Sequence, residues 1–325
     1  MDAREFTNGM HLIPLDQNKE PTCGRGFLLS KLYTRTHARA RAVYRAAQRG
    51  DYRGCSSSGV MNKNLGELAV SLFGADKALQ MESRFKTTTL RLARWDLNLT
   101  LRTFEGDRML GTLVAKELTN DVYRLARLSS NDAGCNSHYL RGSIILDIGG
   151  HVGATAILLA ILCPNVTIHT FEPVPVNFYA LVWNIRMNGL CGRVVPHNVA
   201  LTESSTPVKV VFSSDDTTSS RLFHFGEVYG KGERLEFEVP SMTFDEVLGE
   251  VVLGRRVAFV KLDCEGCEYS IVKGHEEFWR TVARIAGELH LEQLKNRGAT
   301  EEVKTSAIEV DSWLRNLSNF DYIER

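Results

Sequence analysis

Apolar and polar positions along this chain change their period near residue 86. Before it, Leu65, Leu68, Ala69, Leu72 and Phe73 recur at three- and four-residue spacing, which predicts an amphipathic helix that must bury one face. After it, Leu97, Leu99 and Leu101 alternate with polar residues as a strand does, and residues 107–125 read as helix. Beyond residue 143 short β-branched runs alternate with helical ones. Strands are expected at 143–148, 166–171, 194–201, 208–212, 235–239, 257–262 and 283–291, and helices at 154–163, 176–187, 270–282 and 301–317, with a polar Ser/Asp/Thr-rich stretch at 213–220. This order predicts an α/β fold, a mostly parallel central sheet with helices on both faces. Ligands then gather at the carboxyl ends of the strands, near the point where the strand order reverses. The expected organisation is a partly helical extension over residues 1–85 and a main domain over 86–325.

Composition narrows the partners. The chain has 325 residues, 43% of them apolar, and 39 Lys+Arg against 39 Asp+Glu. That balance gives no electrostatic reason to expect nucleic acid or an anionic membrane. It conceals an asymmetry, because residues 1–85 carry 13 basic and 8 acidic side chains, which makes the front basic and the body acidic. Arg25 to Arg53 holds eight basic residues and one acid, a pattern that suits a solvated helix face or a steering or targeting segment. Seven cysteines without framework spacing suggest free thiols in a reducing, cytoplasmic setting, with an organellar address left open by the basic front. No run approaches the roughly 20 apolar residues of a membrane-spanning helix.

Three strand ends carry the candidate chemistry. The first, Ile145-Leu-Asp-Ile-Gly-Gly-His-Val-Gly153, is a strand, an acid and a glycine turn leading into a helix. Gly149 and Gly153 permit a tight bend and close approach of a ligand to the helix start. A dinucleotide would need a middle glycine where His151 stands, and Asp147 would repel its diphosphate; the same carboxylate suits the cationic S-adenosyl-L-methionine. The second end, Thr167-Ile-His-Thr-Phe-Glu172-Pro173, places Glu172 where an adenosine ribose would find an acceptor. After the third strand, Val199 and Ala200 would line an adenine pocket, with Asn198 or His197 near the ring. The last cluster, Val260-Lys-Leu-Asp263-Cys-Glu265-Gly-Cys-Glu268, crowds three carboxylates at one strand end, which is costly unless they are exposed or bind something. Its Cys264-x-x-Cys267 lacks the second ligand pair of a zinc site, and neighbouring acids would not activate a thiol. Glu288-Leu-His290 closes the next strand, where His290 has an ordinary reading as a satisfied core histidine.

The run Asp147–Gly153 (DIGGHVG), the run 171–177 (FEPVPVN), the run 261–274 (KLDCEGCEYSIVKG) and 288–290 (ELH) together resemble the FkbM-type methyltransferase family over about residues 95–320. The resemblance implies a Rossmann-like class I methyltransferase fold and O-methylation of a hydroxyl on a small molecule or glycan. It implies that Asp147, Gly149, Gly150 and Gly153 form the cofactor loop, that Glu172 with Pro173 forms the ribose acid segment, and that Asp263, Glu265 and Glu268 form the acidic signature. Gly150 and His151 depart from the Ala and Asn often found there. Asn198 and Ala200 complete the expected cofactor set. Asp263 and Glu265 are the expected positioning or general-base groups, with His290 as the alternative base. No metal ligand set is assigned, and a divalent ion held by these acids is left open. The family's usual C-terminal antiparallel hairpin would be cut short just after Tyr322. The rival reading is a non-catalytic protein of the same fold whose helical front binds a partner.

Overall fold

The computed structural model describes residues 61–128, 142–222, 230–291 and 300–323; the basic segment at 25–53 lies outside them. The chain runs through α1 (Met61–Phe73) and α2 (Ala78–Ser83) into a hairpin of β1 (Phe85–Leu92) and β2 (Leu97–Phe104), paired antiparallel over their full length. The helix expected over 107–125 is shorter. A π-helical turn at Leu110–Val114 leads into α3 (Ala115–Asn120), which stops where Asp121 turns left-handed at φ 55°.

Strand and helix then alternate as β3 (Ile144–Ile148), α4 (Ala154–Leu162), β4 (Thr167–Phe171), α5 (Pro175–Met187) and β5 (Val194–His197). Pro175 opens α5, where its missing N–H costs no helical bond. The strand expected over 194–201 is interrupted, and its second piece is β6 (Ala200–Leu201). Next come β7 (Val208–Ser213), β8 (Asp216–Leu222), β9 (Arg234–Val239), β10 (Ser241–Met242), and α6 (Phe244–Glu246), which starts in a capping box made by Thr243 and Glu246. The chain closes through β11 (Val257–Leu262), α7 (Glu268–Val272), α8 (Glu276–Thr281), β12 (Ile285–Gly287), α9 (Glu301–Arg315) and β13 (Phe320–Tyr322).

Six strands form one sheet in the order β13-β12-β11-β3-β4-β5, and every neighbouring pair is parallel. This is the Rossmann-like α/β fold expected from the sequence. The order reverses between β3 and β11, so a crevice opens at their carboxyl ends. Both strands are buried along their whole length, as a sheet covered on two faces demands. One face packs on α4, α5, α1 and the β1–β2 hairpin; the other packs on α7, α8 and α9 around Trp279 and Leu314.

Several expectations change in physical detail. The helix expected over 270–282 breaks at Gly274, whose φ of 81° no helix accommodates. The polar stretch at 213–220 is largely strand, since β8 pairs antiparallel with β7 and β7 with β9. Its Thr217 is fully buried, so hydroxyls rather than apolar groups face inward there. Tyr322 ends β13, a strand at the place expected, which pairs parallel with β12. Cys264 and Cys267 form a disulfide, and Cys163 and Cys191 are disulfide-bonded as well. The free-thiol reading therefore fails for these four, and the reducing compartment inferred from it loses that support. Among the described residues no helix is long and apolar enough to cross a membrane.

Leu65, Leu68, Ala69 and Phe73 of α1 lie in the same hydrophobic cluster as Ile157 of α4 and Leu181 of α5. Leu68 is 6% exposed, whereas Leu79 of α2 is 82% exposed. Leu68→Ala should therefore cost about 2–5 kcal/mol in denaturant unfolding of the full chain, and Leu79→Ala less than about 0.5 kcal/mol. Equal, small losses would show that α1 does not belong to the main core.

Candidate functional site

The crevice at the β3–β11 junction is built on a buried row of polar groups. Register places Asp147 of β3 between Lys261 of β11 and Thr170 of β4. Thr170 Oγ1 donates to Asp147 Oδ2 at 2.8 Å, and Lys261 Nζ lies 3.8 Å from Asp147 Oδ1. Lys261 Nζ also donates to the Gly149 carbonyl at 2.7 Å and stands 3.5 Å from Asp263 Oδ2. Burial pushes the Asp147 carboxyl up, against the opposing pull of Lys261 and Thr170. Asp147 is thus covered by the turn that follows it, and the structure does not bring its carboxylate to the cavity wall.

The glycine turn owes its composition to neighbouring protein. Gly149 has φ 87°, and a Cβ there would collide with the carbonyl oxygen of Asp263. A Cβ on Gly150 would collide with Thr170 Oγ1. The N–H groups of Gly149 and Gly150 both donate to the Phe171 carbonyl, at 3.1 and 2.9 Å, which folds the turn over the end of β4. Gly153, at φ 89°, sits against Leu181 of α5 and starts α4.

A cavity opens above this turn. Ile148, Gly149, Gly150 and His151 form its floor, Phe171, Glu172, Pro173 and Asn177 one side, and Val199, Ala200 and Leu201 an apolar end. Asp263 and Glu265 stand on the other side beside Tyr123 and Lys261. Glu172 is buried: its Oε2 accepts from the His151 N–H at 2.7 Å and its Oε1 from the Val174 N–H at 2.9 Å. Burial pushes its carboxyl up, although His151 and those N–H groups oppose the shift. Asn198 is occupied elsewhere, its amide donating to the carbonyls of Glu172 and Pro173 at 2.9 and 3.0 Å, so it holds that segment in place without lining the cavity. His197 is likewise off the wall. It stacks on Phe171 with ring centroids 4.6 Å apart, and burial pushes its pKa down to about 4.

Some wall residues escaped the sequence reading. Asn177 is 1% exposed, donates to the Thr217 carbonyl at 2.9 Å, and leaves its Oδ1 without a hydrogen bond. Thr217 Oγ1 donates to Asp107 Oδ2 at 2.8 Å and therefore accepts from His151 Nε2, also at 2.8 Å. Burial pushes the Asp107 carboxyl up, but His151, Thr217 and the Met109 N–H outweigh it and hold the group below its ordinary value. Tyr123 Oη donates to Asp263 Oδ2 at 2.7 Å. A readable signal existed for Lys261, since a lysine inside the apolar run Val257–Leu262 is rarely buried without a partner. For Tyr123, Asp107 and Thr217, each far in sequence from the motifs, there was none.

His290 lies behind the acids, off the cavity wall. Its Nδ1 is 2.8 Å from Oε1 of the fully buried Glu268, and its Nε2 faces Glu288 at 3.4 Å, Glu265 at 3.6 Å and Asp263 at 3.9 Å. Burial opposes a charge on this ring, but Glu268, Glu288 and Glu265 prevail and hold its pKa well above the ordinary value.

Comparison with known proteins gives this arrangement a family. A Methyltransferase FkbM domain matches residues 147–323. "Methyltransferase 1" of Beauveria bassiana is 26% identical over 161 residues, covering 45% of this chain and 64% of the relative. The 31-O-demethyl-FK506 methyltransferase FkbM of Streptomyces tacrolimicus is 24% identical over 180 residues, covering 46% of this chain and 66% of that protein. The chain thus spans just under two thirds of each relative. Among solved structures, the S-adenosylmethionine-dependent methyltransferase SibL matches with a TM-score of 0.24 and 16% identity, over 52% of this chain and 42% of that one. An O-methyltransferase family protein from Burkholderia thailandensis matches with a TM-score of 0.19 and 12% identity, over 61% and 59%. With the glycine turn, the Glu172 segment and the acidic loop all inside the matched 147–323, the chain belongs to the FkbM methyltransferase domain family.

Proposed function

We propose that this methyltransferase transfers the methyl group of S-adenosyl-L-methionine to a hydroxyl of a small molecule or glycan. The observation that carries the reading is a cavity with nucleoside-binding chemistry on one side and two carboxylates on the other. The walls fit the cofactor. Glu172 retains acceptor capacity beyond the two backbone N–H groups and the Asn177 amide that donate to it, and Asn177 Oδ1 is a buried acceptor with no hydrogen bond, so hydroxyl and ammonium donors find partners there. The Phe171 and Val199–Leu201 surface suits an adenine ring. When bound, S-adenosylmethionine supplies an electrophilic methyl on a sulfonium.

The chain's own groups then have to align an acceptor oxygen and receive its proton, and alignment alone contributes several kcal/mol, on the order of 7 or more. Asp263 is held by Tyr123 and Lys261, which fixes a carboxylate edge against which an acceptor hydroxyl can be oriented. Glu265, next to it on the wall, is the group to take the proton. Its backbone is left-handed at φ 58°, within the Cys264–Cys267 disulfide loop. Acceptor choice falls to Leu113, Val114, Thr217 and Thr218, on elements outside the central sheet. Asp147 contributes indirectly, by anchoring Lys261 and the turn.

Titration calorimetry with S-adenosylhomocysteine tests the cofactor side. Glu172→Gln should weaken binding by about tenfold or more, the scale of a lost charged hydrogen bond. Ribose donors favour the ionised acid, so wild-type affinity should fall as pH drops through the raised Glu172 pKa, above the ordinary value near 4.3, and the Gln variant should lack that step. An unchanged affinity in Glu172→Gln would remove this acid from the cofactor site. On the acceptor side, Asp263→Ala and Glu265→Ala should each lower turnover about 100-fold or more while S-adenosylhomocysteine still binds. Wild-type turnover in both would end the assignment.

A further inference from the structure

We propose that Asp263, Glu288 and His290 form a binding site for one divalent cation, of the Mn²⁺ or Mg²⁺ type, beside the cavity. The three residues come from two adjacent parallel strand ends. β11 ends at Leu262 and β12 at Gly287, which are register partners, and the Glu288 N–H donates to the Leu262 carbonyl at 3.0 Å, which puts Glu288 alongside Asp263. One ligand atom from each of the three lies within 4.8 Å of the others.

The decisive feature is the imidazole. His290 is 3% exposed, and its Nε2 makes no hydrogen bond although it points at carboxylate oxygens of Asp263, Glu265 and Glu288. Its other nitrogen is held at 2.8 Å by Glu268, an acid with no exposed surface. A carboxylate on the far nitrogen of a histidine sets its tautomer and aims the near nitrogen at a metal. With the Nδ1 proton directed at Glu268, loss of the Nε2 proton turns a lone pair toward three carboxylates, and a divalent cation between them takes that proton's place. Two ligands on one cation with bonds of about 2.1 Å lie up to about 4.2 Å apart. The Nε2 distances of 3.4 Å to Glu288 and 3.9 Å to Asp263 already meet that limit.

Two oxygens and one imidazole nitrogen suit Mn²⁺ or Mg²⁺ with water completing the shell, and are a poor match to thiophilic ions. Asp263 offers Oδ1 to this site while Oδ2 stays with Tyr123. Cation binding itself does not depend on the methyl-transfer reading. Only its consequence, an extra positive charge next to the acceptor pocket, rests on that reading.

The test uses the purified full chain, stripped with chelator and titrated with MnCl₂ while free Mn²⁺ is followed by electron paramagnetic resonance. Wild type should take up one equivalent, displaced by excess Mg²⁺. Glu288→Gln should lose at least about tenfold in Mn²⁺ affinity, and Glu268→Gln, which leaves all three ligands in place, about 10–100-fold. Circular dichroism checks that each variant folds; should Glu288→Gln not fold, Glu288→Asp provides the shorter arm with the charge kept. Glu172→Gln, on the opposite side of the cavity, should bind Mn²⁺ as wild type does. No uptake by wild type at millimolar Mn²⁺, or equal uptake by folded Glu288 and Glu268 variants, would overturn the site. S-adenosylhomocysteine titrated into the same samples separates the two readings. Mn²⁺ uptake without nucleoside binding would sink the methyl-donor reading alone, and nucleoside binding without Mn²⁺ uptake would sink the cation site alone.

Discussion

The structure turns on an ammonium buried at the junction of two parallel strands. Lys261 reaches Asp147, Asp263 and the Gly149 carbonyl, so one side chain ties the end of β11 to the end of β3 and to the turn beyond it. Desolvating such charges costs several kcal/mol per ion, and the cost is met only while every member keeps its partners. Losing one partner of a buried set typically costs about 3–5 kcal/mol, because the remaining charge is stranded. This constraint makes the carboxyl edge of the sheet rigid at the point where the strand order reverses, which is where a ligand crevice forms.

Two loops inherit their shapes from that junction. The turn after β3 runs so close to the backbone after β11 that Gly149 has no room for a side chain beside the Asp263 carbonyl. The loop after β11 in turn carries Asp263 and Glu265 onto the cavity wall and is closed by the Cys264–Cys267 disulfide. Glycines and acids at the two loops are therefore parts of one packed unit. A change in either displaces both walls, since close-packed interiors pass strain on rather than absorb it.

Acidic residues at this edge are sorted by burial. Asp147 and Glu268 are sealed inside and act on neighbouring groups, Lys261 in one case and His290 in the other. Asp263 and Glu265 face the cavity.

Much of the fold was legible because periodicity and burial are local. Ile144–Ile148, Thr167–Phe171 and Val257–Leu262 are apolar runs of strand length, and the turn residues between strands and helices stand at the ends where the chain must bend. The glycine turn, Glu172 and the acidic loop were readable for the same reason, each being contiguous in sequence at one strand end. What stayed hidden was set by contacts between distant segments. Thr217 looked like part of a polar loop until β8 paired with β7 and placed it over His151. Tyr123 acquires a role only through Asp263, 140 residues away. Asp147 and Asn198 were legible as strand-end residues, but that the first is covered by the next turn and the second donates to neighbouring carbonyls is set by packing that sequence does not record. The sequence by itself therefore determined the order of strands and helices and the chemistry available at each strand end. Only the tertiary structure decided which of those groups reach the cavity, since side-chain exposure depends on packing between segments that no local pattern records.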